Sequence, residues 1–175
     1  IVMTMNAGFI PLDSWVHDIN SGGGRIIGEA CHFIDLCTFF TGSKVSKVCM
    51  NSLGSNEKIN TDNASIILKY KNGSNAVINY FSNGSKLYPK ERIEVYQNNS
   101  TFVIDNWMKL KGFGINAKAG SRFKQDKGHL NQFEKLYSHI NNGLGPTISW
   151  IEILNTTKAT LSSLDSLKQG KWITV

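Results

Sequence analysis

The sequence predicts an α+β domain, a mostly antiparallel open sheet with helices packed on one face. Three observations carry this. Alternating apolar and polar segments fill the middle of the 175-residue chain, helical periodicity occupies both ends, and Asn72-Gly73 joins two alternating segments in the manner of a tight hairpin. A hydrophobic content of 41% with 18% charged residues is that of a folded globular chain. The length suits one domain with its own core, residues 1–175.

Ile1 to Met5 reads as a short strand, ended by Asn6-Ala7-Gly8. Phe9 to Ser21 contains Pro11 and little periodicity, so it reads as loop with one short helical turn. Helix is predicted behind Gly22-Gly23-Gly24, where Ile27, Ala30, Ile34 and Cys37 recur at three- and four-residue spacing. Ile26, Phe33, Leu36, Phe39 and Phe40 widen the apolar surface, which predicts burial on most of the helix circumference. After Gly42 the pattern alternates: strands are expected from Val45, over Ser65–Tyr70 and Asn75–Phe81, over Arg92–Tyr96 and Thr101–Asp105, and over Trp107–Phe113. Gly114 to Gln125 reads as a mobile loop. A helix over His129–Asn141 follows, with Leu130, Phe133, Leu136, Tyr137 and Ile140 on one stripe and Gly143 beyond its end. Ser149-Trp150-Ile151-Glu152 forms a capping box for a last helix closed by Gly170, and Lys171–Val175 adds a final short strand.

The chemically richest stretch is Gly22 to Leu36. Glu29, His32 and Asp35 stand three residues apart and would form one polar ridge on a regular helix. Charged groups on a mostly buried helix need partners or a cleft. A histidine can exchange protons near neutral pH, so His32 is a candidate catalytic residue, with Glu29 or Asp35 to orient its ring. A hydrogen-bonded core histidine is the competing reading. The glycines do not form a dinucleotide fingerprint, since from Gly22 and Gly24 the third glycine of G-x-G-x-x-G would fall on Ile27.

The run Asn6-Ala7-Gly8-Phe9-Ile10-Pro11, then Trp15 and Asp18, then Gly22-Gly23-Gly24 through His32-Phe33-Ile34-Asp35-Leu36, resembles the C-terminal half of the glucose-fructose oxidoreductase / inositol dehydrogenase / MocA family. It is similar, more narrowly, to members associated with nucleotide-sugar and surface-polysaccharide metabolism. The resemblance implies a substrate-binding and oligomerisation domain whose sheet face makes subunit contacts. It also implies a Rossmann domain, outside this chain, that binds NAD or NADP and supplies a lysine from a Glu-Lys-Pro motif. The family usually carries an aspartate four residues before the histidine, where this chain has Gly28; Glu29 lies one position later. Asn6, Trp15, Asp18 and His129 would line the sugar site, although Trp15 equally suits an anchor of its own loop and His129 an exposed helix start.

Other signals narrow the function. No apolar run is long enough to span a bilayer and no signal peptide is evident, which with Cys31, Cys37 and Cys49 outside any disulfide or zinc spacing predicts a cytoplasmic protein without a metal. The start at Ile1 reads as a cut from something longer. The net charge of +6 is carried by scattered lysines without interleaved aromatics, so nucleic acid and membrane are not expected partners. The sequence thus predicts half of an NAD(P)-dependent oxidoreductase acting on a secondary alcohol of a sugar, nucleotide sugar or related polyol. That half is homo-oligomeric and inactive when isolated. The alternative is a non-catalytic ligand-binding or assembly module.

Overall fold

The computed structural model describes residues 1–54, 62–115, 120–121 and 123–175. Its strands are β1 (Val2–Asn6), β2 (Val45–Ser52), β3 (Asn63–Tyr70), β4 (Asn75–Phe81), β5 (Glu91–Gln97), β6 (Ser100–Asp105), β7 (Lys109–Phe113), β8 (Gly120–Ser121) and β9 (Ile173–Thr174). Its helices are α1 (Cys31–Thr41), α2 (His129–Asn141) and α3 (Trp150–Gln169). The strands form one open sheet in the order β8-β7-β6-β5-β1-β4-β3-β2-β9. Every neighbouring pair is antiparallel except β1 with β4, so the predicted fold class holds.

Alternation places the core. Ala64, Ile66, Leu68 and Tyr70 of β3 are buried, as are Ala76, Ile78 and Tyr80 of β4 and Met3 and Met5 of β1. Register joins them across strands: Ile78 lies between Met3 and Ile66, and Tyr80 between Met5 and Ala64. Against this face pack Ile26, Ala30, Ile34 and Cys37, and Ala159, Leu164 and Leu167 of α3. Side-chain hydrogen bonds pin α3 to β2. The Asn155 amide both accepts from the Val45 amide and donates to its carbonyl, and Ser166 Oγ accepts from the Met50 amide. The capping box at Ser149 is present as predicted.

Two elements depart from expectation. Trp107 is not in the strand it was expected to open. Asn106 and Trp107 take φ of 50° and 56°, and β7 begins only at Lys109. The tight turn aims the Trp107 indole N–H at the buried Glu91 carboxylate, a bond that alternation cannot announce. The second departure is α2, which buries no residue. Its predicted apolar stripe is exposed, Phe133 at 65%, while Gln132 and Lys135 border a cavity that α1 also lines. Of the expected loop from Gly114 to Gln125, residues 116–119 and 122 lie outside the described residues, and within it Gly120–Ser121 is a short strand paired with β7.

Candidate functional site

The glycine run is a structural corner rather than an open approach for a ligand. Asp18 organises it: its carboxylate accepts from the Ser21 hydroxyl at 2.6 Å and the Asn20 amide at 3.0 Å, and its carbonyl accepts from the amides of Gly22 and Gly23. The Ser21 bond first, then that of Asn20, holds the Asp18 carboxyl below the usual range. A Cβ on Gly22 would lie 2.5 Å from the Trp15 carbonyl oxygen, so the surface that comes close is the chain's own backbone. Gly23 and Gly24 then turn the chain into the helix at φ of 68° and 80°.

That helix begins with a π-helical turn, Ile26–Ala30, in which the Cys31 amide reaches back to the Ile26 carbonyl. The wider turn carries one extra residue and breaks the three-residue phase. The expected Glu29–His32–Asp35 ridge is therefore divided. Glu29 points to the sheet, whereas His32 and Asp35 point to α3.

On the sheet side, Glu29 accepts from the Tyr80 hydroxyl at 2.5 Å, from Arg25 Nη2 at 3.0 Å and from Lys90 Nζ at 3.3 Å. Burial alone would push this carboxyl up, but these three donors together outweigh it and hold it below the ordinary glutamate value. Arg25 is 3% exposed. Its other bonds go to the carbonyls of Gly8, at 2.6 Å, and Ala7, at 3.2 Å, and its guanidinium sits 5.3 Å from the Tyr80 ring centroid. Asp62 stands 4.0 Å from Arg25 Nη1. Burial, and then the bond to Glu29, raises the Tyr80 phenol above its normal range, so it stays a donor.

On the α3 side, exposed His32 and half-buried Asp35 line a cavity of about 320 Å³ walled by Ile27, Ile148, Thr156 and Leu161. Asp35 accepts from the Thr156 hydroxyl at 3.2 Å and also borders a neighbouring cavity of about 500 Å³ beneath α2. Among the described residues no hydrogen bond joins His32 to Glu29 or Asp35. The expected orienting contact is thus absent, because Thr156 holds Asp35 and the π-helical turn takes Glu29 away.

The remaining expected residues are spread out. Asn6, at the end of β1, gives its side-chain amide to the carbonyls of Ser85 and Tyr88. Trp15 is 69% exposed on its 3-10 turn. His129 opens α2 in solvent and lines neither cavity beside His32. Sequence reasoning missed Arg25, Tyr80 and Lys90. Arg25 could have been found, since it stands four residues before Glu29. Tyr80 and Lys90 reach Glu29 only through the pairing of β4 and β5 around β1.

A mixed open sheet in this order, backed by helices on one face with a histidine and a carboxylate at the helix layer's edge, can be compared with known domains. Residues 2–103 match the GFO/IDH/MocA C-terminal domain model, and the chain belongs to that family. Solved structures share the fold. An aldose-aldose oxidoreductase from Caulobacter crescentus, complexed with glycerol, superposes with a TM-score of 0.77 at 13% identity, over 99% of this chain and 55% of that one. A UDP-N-acetylglucosamine 3-dehydrogenase from Acidithiobacillus ferrooxidans gives 0.75 at 17% identity, over 96% and 53%. An oxidoreductase from Agrobacterium radiobacter, in complex with NAD+, L-tartaric acid and magnesium, gives 0.74 at 16% identity, over 99% and 55%. The chain thus spans about half the length of these relatives. No curated protein sequence matches. No helix among the described residues is long and apolar enough to cross a membrane.

The glycine run and Arg25 do not fit a nicotinamide dinucleotide's phosphates. The space above Gly22 is filled by the Trp15 carbonyl, and Arg25 is committed to Gly8, Ala7 and Glu29.

Proposed function

We propose that this domain is the substrate-binding and oligomerisation half of an NAD- or NADP-dependent oxidoreductase, acting on a secondary alcohol of a sugar, nucleotide sugar or related polyol. Such a cofactor would accept or return the hydride and would be held by the part of the polypeptide outside this chain. The domain's own share is the hydroxyl and its proton. The observation that carries this reading is an exposed imidazole at an apolar-walled cavity that also holds a carboxylate, in a chain of an oxidoreductase family. His32 moves the proton, directly or as a relay. Asp35 supplies negative charge to the same cavity. Glu29, kept ionised by Tyr80, Arg25 and Lys90, lies on the sheet side of the same helix and backs the site from behind. Trp15, exposed, offers a flat face to a sugar ring, while Asp18 and Asn6 shape the backbone around it and His129 stays outside the cavity. The protein is cytoplasmic, binds neither nucleic acid nor membrane, and assembles through the uncovered sheet face.

The test is the full-length polypeptide with NAD+ or NADP+ and a panel of aldoses, polyols and UDP-sugars, followed by nicotinamide absorbance. Turnover of at least one class is expected, and none from the isolated chain, which should also fail to bind NAD(H) at micromolar concentrations in calorimetry. Full-length protein that binds a nucleotide sugar without reducing either cofactor would establish the second reading, a non-catalytic binding module. Gly28, at the position of the family's usual aspartate, favours that reading.

A further inference from the structure

The loop between β4 and β5, residues 82–90, carries Lys90 to the site, yet between Gly84 and Lys90 its own hydrogen bonds are short-range. The Tyr88 amide donates to the Ser85 carbonyl and the Leu87 amide to the Ser85 hydroxyl. Leu87 is 97% exposed, so apolar packing does not fix the loop tip. What ties it down is Asn6 at the end of β1. Its side-chain Nδ2 donates to the Ser85 carbonyl at 2.8 Å and the Tyr88 carbonyl at 3.2 Å, and its backbone N–H donates to the Lys90 carbonyl at 2.7 Å. The fit is close. A Cβ on Gly84 would lie 2.2 Å from Asn6 Oδ1, an oxygen that is itself buried without a hydrogen-bond partner among the described residues. An oxygen left unpaired while the amide nitrogen serves two carbonyls marks a side chain placed for the loop.

We propose that Asn6 is a positioning residue: it seats the β4–β5 loop so that the Lys90 ammonium stays paired with the Glu29 carboxylate. The relevance to chemistry rests on the proposed function, but the contact and its test do not. The charged and titratable groups around Glu29 are Arg25 on its own helix, Tyr80 on β4, Lys90 from the loop, Asp62 beyond Arg25, and the neighbouring Cys31 thiol. Of these, Lys90 is the half-exposed cation, 46% accessible, and its position is the one set by a loop. Arg25 and Tyr80 are locked into helix and sheet.

The experiment is a carbon-13 NMR titration of the Glu29 carboxyl in the chain itself, which needs neither substrate nor cofactor. Lys90→Met should raise its apparent pKa by a few tenths of a unit, the size expected for a half-exposed ion pair. Asn6→Ala should raise it in the same direction, and Asn6→Ala with Lys90→Met should go no further than Lys90→Met alone. Gly84→Ala sets a methyl against Asn6 Oδ1, which parts the Asn6 side chain from the loop, and should have the same effect, so it carries the test should Asn6→Ala not fold. A Glu29 titration unmoved by Asn6→Ala or Gly84→Ala despite lower thermal stability would overturn the proposal, as would shifts from Asn6 and Lys90 that simply add. Failure here leaves the dehydrogenase assay untouched, and failure of that assay leaves the titration readable.

Discussion

Tyr80 and Glu29 meet across the sheet–helix boundary: the hydroxyl of a fully buried tyrosine donates a 2.5 Å hydrogen bond to a carboxylate held in place by a π-helical turn. Their separation in sequence is 51 residues. Removing the hydroxyl leaves Glu29 short of one buried donor. Tyr80→Phe should cost about 1.5–3 kcal/mol near neutral pH, as for hydrogen bonds to charged groups. Folding depresses the Glu29 pKa, so the stability it contributes is complete above its ordinary value of 4.5 and is lost as pH falls through the lower folded value. The gap between Tyr80→Phe and wild type should therefore be widest at neutral pH and narrow in acid. Urea unfolding at both ends of that range measures it, and a gap independent of pH would contradict the account.

His32 is exposed, so its replacement should leave the fold almost unchanged, within about 0.5 kcal/mol. In the full-length enzyme, His32→Ala should lower kcat by about 10²–10⁴ with little change in KM, and His32→Asn, which cannot titrate, should fall nearly as far. A fully active His32→Asn enzyme would remove the histidine from the proton pathway.

Two glycines in the same run should respond in opposite ways. Gly22→Ala drives a methyl into the Trp15 and Val16 backbone and should destabilise by about 2 kcal/mol or more. Gly28 is exposed and helical, and an added Cβ meets only the Gly22 carbonyl at 3.8 Å, so Gly28→Ala should be neutral or stabilising by up to about 1 kcal/mol. Thermal denaturation of both variants distinguishes a packed corner from a permissive loop.

Across the uncovered sheet face, register lines up Cys49, Ile67, Val77 and Val2 on four adjacent strands. An apolar row there supports assembly through this face, at the roughly 2,000 Å² or more usual for obligate interfaces. Ile67→Asp should convert the oligomer to monomer without unfolding it. Sedimentation that finds wild type already monomeric at tens of micromolar would refute the interface.

Much of the fold was legible because local chemistry dictated it. Helix α2 was placed from its apolar stripe with Gly143 past its end, and α3 from its capping box and closing glycine. The central strands followed from alternation, and the β3–β4 hairpin from Asn72-Gly73, with Gly73 at φ of 88°. His32 and Asp35 share a side because both lie in α1, past the π-helical turn, where the three-residue phase is regular.

What the sequence determined by itself, then, was the order and type of the elements and which face of each strand is apolar, since these depend on neighbours within a few residues. Tertiary structure decided three other matters. It sent Glu29 to Tyr80 instead of His32, because one extra residue in a helical turn rotates everything before it. It brought Arg25, Tyr80 and Lys90 together, because β1 lies between β4 and β5 and draws both of their ends to the same carboxylate. And it left the stripe of α2 facing solvent, because periodicity specifies that a helix has an apolar face but not what, within the same chain, lies opposite it.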